Sequence, residues 1–317
     1  MGPSGGAQVI DSSSARRAFA TNPVRGVTTS GAGLRERPRP QRTRVFHSAG
    51  VLVENLEFSS SGEGNTVEGF SPEFQVCLPY AGLFVWHVCG ESVVADANQV
   101  LFVRGGEPFH VRGSIERGYG ELIVTPAVEL LAELAGMSET RLHAHPLFRR
   151  RSRRVSMAVQ VLRARLLHSS RIHHSDGLAA EEVVLTLLRS ALQMEDPSYE
   201  PRATTRRMLR RAKEFVEANF SEVLRLADVA RAVNASPAYL TDVFRRAEGV
   251  SLHRYIVQLR LARALVELPE ATDLTTLALD LGFSSHSHFA SAFRRAFGCT
   301  PSEFRESTRG SLPRRIA

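Results

Sequence analysis

Two short stretches carry paired guanidinium groups in almost the same setting, VFRRAEG at 243–249 and AFRRAFG at 292–298. A guanidinium is a planar fork of N–H donors matched to phosphate or carboxylate oxygens. Beside Arg245 and Arg246 stand Ala238, Thr241 and Asp242, and beside Arg294 and Arg295 stand His286, Ser287 and Ser291. Methyls, hydroxyls, an imidazole and one carboxylate next to fixed positive charge suit reading the edges of a polyanion rather than making or breaking bonds. Two other groupings carry reactive atoms. His87, Cys89 and His110 could hold a soft metal, and Cys89 with His87 could form a thiol–base pair. Scattered His and Cys in strand-like segments are more often packing residues, and no His-x-His pair occurs in that region; HAH at 143–145 lies beyond it. The expectation is therefore no metal, no cofactor and no catalytic residue.

The elements around the arginine pairs match as well as the pairs do. Apolar residues fall at 240, 243, 244 and 247 in one copy and at 289, 292, 293 and 296 in the other. The i, i+3, i+4, i+7 spacing is one buried stripe of a helix. Ser236 precedes Pro237 and Ser285 precedes the second copy, as N-caps; Gly249 and Gly298 follow as left-handed C-caps. Upstream, LADVARAV at 226–233 parallels LTTLALDL at 274–281, with Asp273 placed to cap the latter. A short helix, a turn and a capped helix make a helix-turn-helix, whose second helix enters a major groove while the first braces it. Between the copies SLHRYIVQLRLARALVEL, 251–268, has a single apolar stripe and ends at Pro269. At about 1.5 Å per residue such a helix is roughly 27 Å long, comparable to one turn of DNA at about 34 Å. One chain could thus address two successive major grooves.

Charge follows the same division. Residues 201–317 hold 19 Lys and Arg against 12 Asp and Glu, an excess equal to the net +7 of all 317 residues. A basic C-terminal third attracts a polyanion. Residues 1–44 are rich in Ser, Gly, Pro and Arg and read as a disordered tail. Residues 45–126 read as short strands, VLVENLEF, GLFVWHV, QVLFVRGGEPFHV and GELIVT among them, broken by Gly, Pro and Asn. That pattern predicts a small antiparallel barrel or sandwich. Helices are expected over 127–136, 152–168 and 178–194, the last two packing on the barrel or on a second subunit. The Pro-containing 196–205 reads as the linker, 206–307 as the C-terminal domain and 308–317 as a basic tail.

The segments LADVARAVNASPAYLTDVFRRAEGVS, YIVQLRLARAL and LDLGFSSHSHFASAFRRAFGCTPSEFR resemble the DNA-binding domain of AraC/XylS bacterial transcription regulators. Phe283, Phe289, Phe293, Gly298, Pro301, Phe304 and Arg305 stand where that family's C-terminal signature expects them. The resemblance covers about a hundred residues. The preceding β-rich region with its trailing helices, 45–195, is more distantly similar to the cupin-like sensor domain often joined to it. The implied fold class is α+β: a cupin-like β-barrel with trailing helices, then an all-α domain with two helix-turn-helix units joined by a linker helix.

The resemblance implies a cytoplasmic, sequence-specific DNA-binding regulator that is not an enzyme. Its partners would be double-stranded DNA, a small-molecule effector, RNA polymerase and a second copy held through the 152–194 helices. It also implies base-reading side chains at Ala238, Thr241, Asp242, His286, Ser287 and Ser291, where this chain departs from members with Arg or Gln. Asp242 either accepts from cytosine N4 or pairs with Arg245 or Arg246 along its own helix. Arg245, Arg246, Arg294 and Arg295 read as phosphate contacts or structural ion pairs. The alternative is a cupin-type metal enzyme or ligand-binding protein fused to a DNA-binding module. A membrane role lacks support: no run approaches the roughly 18–20 apolar residues of a span. Three scattered cysteines make neither a disulfide framework nor a nucleophilic cluster.

Overall fold

Alternation of apolar and polar residues builds two facing antiparallel sheets in the computed structural model, which describes residues 40–58, 66–113, 118–146, 148, 151–169, 177–193, 199 and 201–309. The strands are β1 (Gln41–His47), β2 (Val51–Phe58), β3 (Thr66–Phe70), β4 (Gln75–Ala81), β5 (Phe84–Val88), β6 (Glu91–Ala95), β7 (Gln99–Val103), β8 (Pro108–Gly113), β9 (Tyr119–Pro126) and β10 (Ser152–Arg154). One sheet has the order β1-β2-β9-β4-β7-β10 and the other β3-β8-β5-β6. Between them Leu56, Phe58, Cys77, Phe84, Trp86, Tyr119 and Ile123 form an apolar interior. The opposite face of the larger sheet, Val51, Val53, Val76, Leu122 and Val124, packs with residues of helices α1 (Val128–Ala135), α3 (Met157–Ser169) and α4 (Gly177–Leu192). Because β4 and β9 are covered on both faces, they are buried along almost their whole length instead of alternating.

Two boundaries differ from the sequence expectation. Most of the tail read over 1–44 lies outside the described residues, but β1 starts at Gln41, inside that stretch. Its QRTRVFH sequence has no buried residue and is ordered by pairing with β2. The helix expected from 152 starts at Met157, because Ser152–Arg154 adds a short edge strand to β7. That strand is anchored ionically, through Arg151, which donates to Glu107 at 2.5 Å, so it left no apolar period to read. Helix α2 (Glu139–Leu142) lies between α1 and this strand.

The C-terminal part is all helical: α5 (Ala203–Asn219), α6 (Leu226–Ala232), α7 (Pro237–Glu248), α8 (Leu252–Glu267), α9 (Leu274–Asp280), α10 (His286–Phe297) and α11 (Pro301–Arg309). Helix α5 starts at Ala203, within the expected linker; residues 310–317 of the expected basic tail lie outside the described residues. Leu209, Val216, Leu240, Phe244, Tyr255, Leu265, Phe289 and Phe293 share one core, to which the N-terminal domain adds Ala97 and Ala164. Fully burying side chains of this size contributes about 1.5–3 kcal/mol each. No helix among the described residues is long and apolar enough to cross a membrane.

Candidate nucleic-acid interface

Helices α6–α7 and α9–α10 form the two helix-turn-helix units, built by the same local chemistry. The Ser236 hydroxyl accepts from the Tyr239 N–H at 3.2 Å, and Ser285 accepts from the His288 N–H at 3.1 Å. Each recognition helix ends on a left-handed glycine, Gly249 at φ 70° and Gly298 at φ 75°. The turns match too: Asn234 (φ 54°) and Gly282 (φ 82°) hold the left-handed residue between paired helices. At Gly282 a Cβ would lie 2.7 Å from the Phe220 carbonyl oxygen, so this turn requires glycine. Leu240, Val243 and Phe244 face inward in α7, as do Phe289 and Phe293 in α10; Ala247, Ala292 and Ala296 are half-buried at the rim.

The opposite faces are open. Ala238, Thr241, Asp242, Arg245 and Arg246 are exposed on α7; Ser287, Ser291, Arg294 and Arg295 are exposed on α10, and His286 is half-buried at its first turn. The two sets sit on their own helices as the spacing predicts, and local bonds decide what each side chain has left to offer. Asp242 accepts from Arg246 twice, at 3.1 Å from Nε and 3.0 Å from Nη2, so the pairing along the helix is the one formed. Thr241 donates its hydroxyl to the Pro237 carbonyl at 2.8 Å, leaving its methyl as the outward group. Arg245 and Arg295 make no ion pair among the described residues, whereas Arg294 lies close enough to help lower the Glu303 carboxyl, chiefly held down by hydrogen bonds from Thr300. His288 is spent structurally, its Nδ1 at 3.0 Å from Ser284 Oγ and its ring edge-on to Phe283.

Tyr239 was missed by sequence reasoning. It is 51% exposed on the first turn of α7, flanking the outward set. The signal was there: it follows Ser236 and Pro237 and falls off the 240/243/244/247 stripe. With guanidinium groups at the C-terminal half of each helix and short side chains at the N-terminal half, each face can neutralise phosphates and present methyl and hydroxyl groups to base edges.

The N-terminal domain places its candidate groups differently. His87 and His110 meet across β5 and β8 with ring centroids 4.5 Å apart, stacked and outside the apolar interior. Cys89 does not join them; it is exposed at the tip of the β5–β6 turn with φ 48°. Among the described residues no group of three or more His, Cys, Asp or Glu could hold a metal. A cavity of about 260 Å³ lies between the larger sheet, α3 and the end of α8, lined by Thr43, Asn55, Glu57, Tyr80, Leu167, His168 and Val266. The Tyr80 hydroxyl stands 2.8 Å from Asn55 Oδ1 and 3.0 Å from Glu57 Oε1. Glu121 of β9 is buried, and desolvation pushes its carboxyl up to about 7 against a smaller opposing effect of Arg42.

Residues 229–307 match the family model of a helix-turn-helix domain. The chain is 31% identical over 109 residues to the Msm operon regulatory protein of Streptococcus mutans, covering 34% of this chain and 39% of that protein. It is 33% identical over 158 residues to the HTH-type transcriptional regulator ArgR of Pseudomonas aeruginosa, covering 49% of this chain and 47% of that protein. The solved AraC-type transcriptional regulator structure from Chromobacterium violaceum is 33% identical, covering 34% of this chain and 96% of that one, with a TM-score of 0.32. The chain spans less than half the length of either curated relative.

Proposed function

Starting from residues 229–307 as an AraC-type helix-turn-helix domain, we propose that the chain is a transcription regulator that reads a bipartite, asymmetric DNA site in two successive major grooves. The observation that carries this is the repetition of cap, buried stripe and left-handed stop in α7 and α10 with both outward faces uncovered. Asymmetry follows from the side chains: Thr241 and the Asp242–Arg246 pair on one helix, Ser287 and Ser291 on the other. Unlike faces prefer unlike base pairs. Helix α8, 16 residues long, spans roughly 24 Å and keeps the two units within reach of one DNA face.

The N-terminal domain is the sensor in this reading. Its 260 Å³ cavity is small for a ligand pocket but has convergent polar groups, and Val266 of the linker helix forms part of its wall. A ligand there would touch both domains. Regulation without catalysis is the accompanying reading, supported by curated relatives named as regulators. Selection from a randomised duplex library tests the proposal: the full chain should enrich one sequence family with two conserved blocks. Failure to enrich any sequence, with or without a metabolite panel, would remove it.

A further inference from the structure

Each helix-turn-helix unit also rests on the N-terminal domain, at points that are joined to each other. In the first unit Glu248, the last residue of α7, accepts from Lys213 Nζ at 2.8 Å and from Gln99 Nε2 at 3.2 Å. Lys213 of α5 also reaches Asp96 Oδ2 at 3.2 Å, and the same oxygen accepts from the Tyr255 hydroxyl of α8 at 2.9 Å. Arg154 of β10 donates to Gln258 of α8 and lies 3.8 Å from Glu248. In the second unit α10 and α11 pack against α3, whose Ala164 and Val161 share the core of Phe289 and Phe293. Gln160 closes the circuit from α3: its Nε2 donates to the Ala97 carbonyl and to Asn98 Oδ1, both at 3.2 Å, in the turn that carries Asp96 and Gln99. A continuous path therefore runs from α10 through α3, Gln160 and the 96–99 turn to Lys213 and the end of α7.

This path lies parallel to the linker helix. Lys213 and Asp96 have side chains 5% and 0% exposed, so parting the domains would strip the ammonium of two carboxylates at once. Buried ion pairs add little net stability, but a fully partnered set favours one relative placement over others. We propose that the N-terminal domain is a second strut that fixes the spacing and rotational phase of the two recognition helices, with Lys213 as its positioning residue. Resting on the bipartite reading above, it makes the N-terminal domain a determinant of DNA specificity without touching DNA. Lengthening a site by one base pair turns one half-site by roughly 34° and moves it about 3.4 Å, a misfit that one helix can absorb by bending and two parallel struts resist.

The test measures full-chain binding to the selected duplex and to duplexes with one base pair inserted or removed between the blocks. The variants are Asp96→Asn/Lys213→Met/Glu248→Gln, which neutralises the cluster at similar volume, and Gln160→Leu, which cuts the path away from both units. The parent should lose about tenfold more affinity on the altered duplexes than either variant does. Equal losses in parent and folded variants, judged by cooperative unfolding, would overturn the strut while leaving the bipartite reading intact. If the triple variant does not fold, Gln160→Leu alone decides. A parent that selects a single block, or none, would overturn the bipartite reading and the strut with it.

Discussion

At the residue scale, the recognition faces divide into side chains with spare bonding capacity and side chains already committed. Arg245, exposed and without an ion pair among the described residues, has its charge available for a phosphate. Arg245→Ala should weaken binding to all sequences alike and reduce the slope of log K against log salt by about one; loss of a single base preference in anisotropy titrations would contradict this. Ser287 makes no side-chain hydrogen bond among the described residues, so Ser287→Ala should alter preference at one position of the second block and leave the first unchanged. An identical selected profile would place the reading face elsewhere on α10. Glu121 gives a prediction about the sensor interior. Its pKa is raised to about 7 from 4.5, so between those values the unfolded chain ionises while the folded one holds its proton. Stability thus falls as pH rises through that window, to a full penalty of about 3 kcal/mol above it. Glu121→Gln removes the titration: its melting temperature relative to the parent should rise from pH 5 to pH 8, and a constant difference would show that Glu121 is not buried as described.

At the element scale, legibility depended on what holds each element. Helices α7 and α10 were readable because cap, stripe and stop are local in sequence, and the structure has all three in both. Strands β1 and β10 were not, because β1 is ordered by its neighbour's backbone and β10 by buried arginines such as Arg151. The left-handed residue of each turn, Asn234 and Gly282, was visible only as a polar or small residue between helices. The two differ in what they tolerate. Gly282→Ala would place a methyl against the Phe220 and Ser221 carbonyl oxygens at a positive φ. A left-handed alanine alone costs roughly 1–2 kcal/mol, so urea unfolding should show at least that loss. A neutral result would mean that the α9–α10 turn can be rebuilt with an ordinary backbone.

At the scale of the whole molecule, the sequence separated a basic helical domain from a β-rich one but said nothing of how they meet. Asp96, Lys213, Glu248 and Tyr255 come from distant segments, and no spacing rule connects them. The candidate site was legible as far as its outward positions; the Asp242–Arg246 pair, the spent Thr241 hydroxyl and Tyr239 became distinguishable only once side chains had neighbours. The three-residue grouping of His87, Cys89 and His110 dissolved for the same reason, since the β5–β6 turn carries Cys89 away from the stacked imidazoles. The central claim concerns this scale: one chain carries two unlike reading heads. Hydroxyl-radical footprinting of the full chain on its selected duplex tests it most directly. The account predicts two protected windows on one DNA face, about 10 base pairs apart and unlike in sequence. A single window, or two windows of the same sequence in inverted repeat, would contradict it.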